Sequence, residues 1–146
     1  MKLLGIVAAL GLSMAACSQD IKPEKVPSVV RNAVQAKFSN ATGIEWEKKK
    51  DIFEAELTKD SVEYTVEVDA TGKLLRQKTD VTVQQLPAAI TQALQTNYSQ
   101  YTVDDAEQLE VNGTTLYQLE LEGKGVKDVK LVFEANGTVS KVAYWD

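Results

Sequence analysis

The chain has 146 residues, one cysteine, no histidine and a formal net charge of −5 at neutral pH. An acidic surface repels nucleic-acid phosphates, so nucleic acid is excluded as a partner. The lack of histidine removes the commonest general base at neutral pH and the usual zinc ligand, and a single cysteine cannot form an internal disulfide.

Residues 1–16 have the features of a secretory signal peptide. Lys2 precedes an apolar run over residues 3–12, and small residues lead to the end of the segment. The run is shorter than the about 20 apolar residues that a membrane-spanning helix needs. Removal of the segment would leave 146 − 16 = 130 residues, which is enough for one domain with a hydrophobic core.

The leader ends in Met14-Ala15-Ala16-Cys17, which resembles the bacterial lipobox, in which the cysteine is lipidated. We therefore predict lipid attachment at Cys17 and a lipid-anchored tether over residues 17–25. An ordinary leader with a leftover thiol is the alternative. The protein is expected in the bacterial cell envelope, periplasm-facing or exposed at the surface. Ser18 differs from the aspartate of inner-membrane retention and favours the outer membrane.

The rest of the chain, residues 26–146, is predicted to be one globular domain built of two repeats, residues 26–80 and 86–146. Val26-Pro27 recurs as Leu86-Pro87, and the apolar pattern that follows recurs at the same offset of 60. Each proline suits the first turn of a helix. Each helix is predicted to present one apolar stripe to a sheet. The stripes are Val30, Ala33, Val34 and Phe38, and Ile90, Ala93, Leu94 and Tyr98.

Alternating apolar and polar residues follow each helix and predict half-buried strands. Thr71-Gly72, Asn112-Gly113 and Asn136-Gly137 mark turns between them, and a final strand is expected over residues 138–145. The predicted fold is α+β: a tandem duplication of an α-β-β-β-β unit, with an antiparallel sheet, helices on one face and the other face open.

This pattern of an apolar-proline pair, a short helix and strands with glycine hairpins resembles the PepSY-like periplasmic proteins with the beta-lactamase-inhibitor-like fold. The resemblance rests on Val26-Pro27, Leu86-Pro87 and the two hairpins at Gly72 and Gly137. Where many relatives carry Phe-Pro at the helix end, this chain has Phe38-Ser39 and Tyr98-Ser99 instead. The resemblance implies a sheet face that can bind protein and no enzymatic role.

The predicted open face is acidic, and two aromatic residues stand beside it near the end of the chain. Because adjacent strand residues point to opposite faces, either Tyr144 or Trp145 should lie near water, as a binding anchor or as a cap on the sheet edge. A solvated surface is one interpretation of the acidic residues, and a docking face for a basic partner is the other. The candidate binding residues are Glu54, Glu56, Glu63, Glu67, Glu120, Glu122, Tyr144 and Trp145.

The leading functional hypothesis is a non-catalytic envelope lipoprotein that binds a protein partner, in an inhibitor-like manner, through this face. A small-ligand or cation-binding envelope protein is the alternative. A weak hydrolase that uses paired carboxylates such as Glu54 and Glu56 is less favoured, because an open face lacks a closed cleft. No catalytic residue, metal site or cofactor is predicted. The membrane is expected to be contacted through the N-terminal lipid.

Overall fold

The computed structural model describes residues 18–146, so the predicted leader and Cys17 lie outside the described residues. All eight described strands form one antiparallel sheet in which each strand neighbours the next along the chain. The strands are β1 (Gln19–Asp20), β2 (Thr42–Lys49), β3 (Ile52–Lys59), β4 (Val62–Asp69), β5 (Leu74–Asp80), β6 (Tyr101–Val111), β7 (Thr114–Gly123) and β8 (Val129–Glu134). The helices are α1 (Ser28–Lys37) and α2 (Ala88–Asn97), and short 3-10 helices span Pro23–Lys25 and Val83–Gln85. Within residues 18–146, neither helix has the length and apolarity that a membrane crossing requires.

The two helices pack on the same face of the sheet and form the core with it. The stripe of α1 buries Val30 and Val34 against β2, β3 and β4, and that of α2 buries Ile90 against β6, β7 and β8. Each helix has only 10 residues, so its stability depends on this packing. The tandem duplication, the antiparallel sheet and the placement of the helices on one face are therefore confirmed.

A glycine hairpin in each repeat lies against the first turn of its helix. Gly72 and Gly137 both have φ of +87°, a conformation that L side chains rarely adopt. A Cβ atom on Gly72 would meet Val29, and one on Gly137 would meet Ala89, the residue 60 positions after Val29. The turns predicted at both hairpins are confirmed, and each fixes its repeat's strands to its helix.

The final strand predicted over residues 138–145 is wrong. Only one β-bridge remains, between Phe133 and Val139, and the chain then leaves the edge of the sheet. Residues 140–146, here called the closing segment, turn onto the face opposite the helices. The physical reason is Trp145, whose side chain is buried there against Leu109, Leu116 and Val132. The helix-free face is thus open over β2–β4, and the closing segment lies over β6–β8 and contacts Arg76 and Lys78 of β5.

The segment predicted as a tether is docked from Gln19 onward. Asp20 of β1 pairs with Glu47 of β2, as Asp80 of β5 pairs with Glu107 of β6. Both partners are shifted by 60 residues, so β1 is the first-repeat counterpart of the end of β5. The duplication therefore extends upstream of residue 26, because the edge of β2 accepts the same backbone pairing that β5 offers to β6.

Candidate functional site

The helix-free face of β2–β5 collects the glutamates that alternate with core residues. Glu45 lies opposite Glu56, and Glu54 lies between Glu47 and Glu67 on the two adjacent strands. Like charges placed directly across strands repel each other. Each of these carboxylates therefore needs a neighbouring cation or exposure to solvent to reduce the repulsion.

Three buried carboxylates on this face each have a basic partner. Lys49 Nζ lies 2.7 Å from Glu54, and Lys78 Nζ lies 3.0 Å from Glu107. The Arg76 guanidinium donates two hydrogen bonds to Glu67, at 2.5 and 2.9 Å. Glu54 is 6% exposed and Glu67 is 4% exposed. These two predicted binding residues are thus paired beneath the surface and do not offer free carboxylates to a partner.

A groove of about 320 Å³ over β2–β5, which reaches Glu107 in the middle of β6, carries the unpaired acidic groups. Glu45, Glu56, Glu63 and Asp80 line it, and within residues 18–146 none of them forms an ion pair with a basic side chain. Burial raises the pKa of Asp80, and the neighbouring carboxylates, foremost Asp105, raise it further. Glu107 and Lys78, which pair with each other, also line it, and the charge of Lys78 opposes the rise of the Asp80 pKa. We call this feature the acidic groove.

The other half of the helix-free face is occupied by the closing segment, whose aromatic rings lie beside three basic side chains that also pair with Glu67, Glu107 and Glu120. Arg76 Cζ lies 4.0 Å from the ring centroid of Trp145, and Lys78 Nζ lies 5.2 Å from it. Lys130 Nζ lies 4.9 Å from the Tyr144 ring centroid. Cations over aromatic faces are attracted by the ring quadrupole.

Buried Gln118 holds the backbone of this segment. The Trp145 N–H donates to Gln118 Oε1 at 3.0 Å, and Gln118 Nε2 donates to the Trp145 carbonyl oxygen at 2.9 Å and to Glu107. Trp145 is 3% exposed. Tyr144 is half-buried, and burial, followed by the charge of Glu107, raises its pKa. Of the two aromatic residues, Tyr144 is therefore the one that reaches water.

The structure distributes the eight predicted residues over both halves of this face. Glu56 and Glu63 line the acidic groove, whereas Glu120 is half-exposed with Lys130 at 3.8 Å, and Glu122 is exposed. The sequence argument missed Glu45 and Asp80 in the groove. Glu45 alternates with Ile44 and Trp46, so strand periodicity could have found it. The role of all these residues in binding remains a prediction.

Two chemical properties of the face follow from these groups. The acidic groove can accept basic side chains, because Glu45, Glu56, Glu63 and Asp80 form no ion pair with any described basic side chain. Metal binding has less support: within residues 18–146 no three histidine, cysteine, aspartate or glutamate side chains are grouped so that they could hold a metal ion.

Comparison with known proteins links this architecture to one family. A family model described as "Putative beta-lactamase-inhibitor-like, PepSY-like" matches residues 14–76 and again residues 72–141. The two matches agree with the duplication. No curated protein matches the chain significantly.

Several solved structures from Bacteroides share the fold. A BLIP-like protein from Bacteroides fragilis is 27% identical, with a TM-score of 0.69 over 82% of this chain and 92% of that chain. A DUF2874 family protein from Bacteroides uniformis is 19% identical, with a TM-score of 0.72 over 77% and 85% of the two chains. A "putative periplasmic" protein from Bacteroides eggerthii is also 19% identical, with a TM-score of 0.72 over 78% and 85%.

Proposed function

The chain belongs to the PepSY-like family, and we propose that it is a non-catalytic protein-binding module of the bacterial cell envelope. In this proposal the partner is a protein that presents basic residues to the acidic groove. The fold supports binding in general, because it leaves half of a sheet face free of helices and of the closing segment. Likeness of fold does not by itself identify a partner.

One observation carries the choice of the groove: four of the five carboxylates that line it form no ion pair within the described chain, whereas the fifth, Glu107, and other acidic residues of the same face do. Glu54, Glu67 and Glu107 each have a lysine or arginine within 3.0 Å. Glu45 and Glu56 stand opposite each other on neighbouring strands with no such partner among residues 18–146. A basic partner would relieve this repulsion, and complementary charge also increases the rate of encounter.

The envelope location and the lipid anchor are part of the proposal. The lipobox-like sequence before Cys17 supports the anchor, and the Bacteroides eggerthii protein described as periplasmic supports the compartment. Because β1 begins at Gln19, one residue, Ser18, separates Cys17 from the sheet. One residue spans at most about 3.6 Å, so an anchor at Cys17 would keep the edge of the sheet at the membrane surface. The partner would then also be an envelope protein near the membrane.

An inhibitor-like role is the finer version of the proposal. The family description and the BLIP-like protein of Bacteroides fragilis support it. A partner of this kind would be an envelope protease or a peptidoglycan enzyme whose basic surface the groove covers. The small-ligand and hydrolase alternatives gain no comparable support, since Glu54, one of the two carboxylates of the hydrolase hypothesis, is buried and paired with Lys49.

The test is cross-linking in intact cells followed by mass spectrometry, with a pair of neutralising substitutions in the groove. Glu45→Gln/Glu56→Gln should reduce recovery of the cross-linked partner more than tenfold, and the wild-type recovery should fall as salt concentration rises. Glu24→Gln/Glu134→Gln is the matched control, because both residues are exposed, lie outside the groove and remove the same charge. Equal recovery with both pairs would exclude the groove as the docking surface.

Calorimetry separates this proposal from ligand binding. Calcium and soluble cell-wall fragments should release no heat when they are added to the wild-type protein. A saturable heat that Glu45→Gln/Glu56→Gln abolishes would instead establish a ligand or cation site in the groove.

A further inference from the structure

We propose that the helix-free face over β5–β8 is a second binding site, for an extended protein segment that carries an aromatic residue beside an acidic one. The closing segment, with its sequence Tyr144-Trp145-Asp146, is the chain's own occupant of that site. The inference goes beyond the acidic groove, whose lining includes no residue of the closing segment, although Lys78 and Glu107 lie at the boundary and belong to both sites. We call this second site the aromatic site.

The aromatic site recognises the backbone of its occupant. Gln118 is 0% exposed, and its side-chain amide bonds both the N–H and the carbonyl of residue 145, much as a neighbouring strand would. Lys78 Nζ donates to the same carbonyl oxygen at 3.2 Å. The Gln118 amide is itself held by Glu107, so the donors and acceptors are positioned independently of the occupant's side chains.

The side chains around the site select for aromatic and acidic residues. Leu109, Leu116 and Val132 form a buried apolar floor, and the Arg76 and Lys78 cations lie over the ring that rests on it. Such a box favours an aromatic side chain over an aliphatic one.

Lys130 supplies the acidic preference of the site. Its Nζ lies 2.5 Å from the Asp146 carboxylate and 4.9 Å from the Tyr144 ring centroid. Lys130 therefore favours an acidic residue at this position of the occupant, whereas the acidic groove complements a basic residue.

The closing segment is held in a way that permits exchange. Ser140 N–H donates to the Val132 carbonyl at 2.7 Å, and in the described part of the chain residues 141–143 add no backbone hydrogen bond to the sheet. Those three residues are exposed. In the first repeat the corresponding stretch is β5, which is paired along its length with β4 and β6.

The indole of Trp145 gives a second reason for exchange. Its Nε1 donor is buried and finds no acceptor among residues 18–146. A buried donor without a partner opposes the bound state. A competing segment with phenylalanine at this position would rest on the same floor without burying that donor.

The experiment supplies the segment in trans. The probe is a fluorescein-labelled peptide with the sequence Lys-Val-Ala-Tyr-Trp-Asp of residues 141–146, and its anisotropy is measured with the mature protein. Trp145→Ala, which vacates the floor, should bind the probe at least tenfold more tightly than the wild type does. Adding Gln118→Ala should abolish that binding, whereas adding Glu134→Gln, the matched control, should not. Equal binding by the wild type and Trp145→Ala, or no binding by either, would overturn the proposal.

A second measurement does not require the emptied variant to fold. The chain has two tryptophans, so Trp46→Phe leaves Trp145 as the only one. An excess of the peptide Lys-Val-Ala-Tyr-Phe-Asp should displace the closing segment, shift the Trp145 emission to the red and expose it to acrylamide. Unchanged emission at millimolar peptide would contradict exchange. A dimer in light scattering, with the closing segments exchanged between two copies, would also overturn the assignment to a partner protein.

Discussion

Gly137 is the residue at which a single added methyl group should reveal how the hairpin is attached to the helix. Its φ is +87°, and a Cβ atom would lie 2.5 Å from the Ala89 carbonyl oxygen and 2.9 Å from the carbonyl carbon. These are backbone atoms of α2, so they cannot rotate away as a flexible side chain could. Left-handed backbone costs an alanine about 1–2 kcal/mol and forced displacement about 1–3 kcal/mol, so Gly137→Ala should lower the unfolding free energy by about 2–5 kcal/mol.

Gly113→Ala is the matched control for this prediction. Gly113 has φ of +78°, but no other atom lies within 4 Å of the position of its Cβ. It should therefore lose only the about 1–2 kcal/mol of backbone strain. Gly72→Ala should fall between the two, because its Cβ would meet a side-chain atom, Val29 Cγ2, at 2.9 Å and the Val29 carbonyl oxygen at 3.0 Å.

Urea unfolding, followed by tryptophan fluorescence, measures the unfolding free energy of each variant. The loss of stability should be largest in Gly137→Ala, intermediate in Gly72→Ala and smallest in Gly113→Ala. If Gly113→Ala and Gly137→Ala lost the same unfolding free energy, the close contact between hairpin and helix would not add to the cost. Gly137 would then be required only for the backbone conformation of the turn. A larger loss at Gly113 would refute the reasoning outright.

Three further predictions concern charge and location. The pKa of Asp80 is raised in the folded state, so the ionised carboxylate destabilises the fold at pH values above that pKa. The destabilisation disappears as the pH falls and the carboxylate is protonated. Asp80→Asn should therefore raise the unfolding temperature at pH 7 and leave it unchanged at pH 3. Arg76→Ala would leave the buried Glu67 carboxylate without a partner. Because Arg76 is partly exposed, the free energy of unfolding in denaturant should fall by about 3 kcal/mol, the lower end of the cost of breaking a buried ion pair. A smaller fall in the double variant Glu67→Gln/Arg76→Ala would confirm that the unpaired carboxylate is the cause. Cys17→Ser should move the protein from the membrane to the soluble fraction, and globomycin should leave the wild-type precursor uncleaved; an unchanged distribution would exclude the anchor.

Local periodicity was sufficient to predict most of the fold. Val30 and Val34 recur at helical spacing, and both are buried as their spacing requires. Gly72 and Gly137 mark turns because few other residues accept their backbone conformation. Each of these signals lies within a few residues of sequence, so no knowledge of distant contacts was needed.

The closing segment could not be placed by the same reasoning. The sequence of Tyr144 and Trp145 is compatible both with a strand and with the closing segment. Which of the two forms depends on Gln118 and on the apolar floor, which are supplied by other strands. Leu109, Leu116 and Val132 were the available signal, because they are apolar residues on the face that the alternation assigned to water.

Exposure of the glutamates also depended on distant partners. Glu54 and Glu67 alternate with core residues just as Glu56 does, yet they are buried. The difference is that Lys49 and Arg76 reach them, and this depends on the register between neighbouring strands. Alternation predicts a face, but only cross-strand contacts decide which of its charges remain free.

The sequential order of the sheet has a consequence for how the protein is made. Each strand pairs with the one before it, so every pairing in the sheet joins consecutive strands of the chain. Strands can then join the growing sheet in the order in which they occur in the chain. Leu109, Leu116 and Val132 all precede Trp145 in the chain, so the apolar floor can form before the Trp145 side chain packs on it.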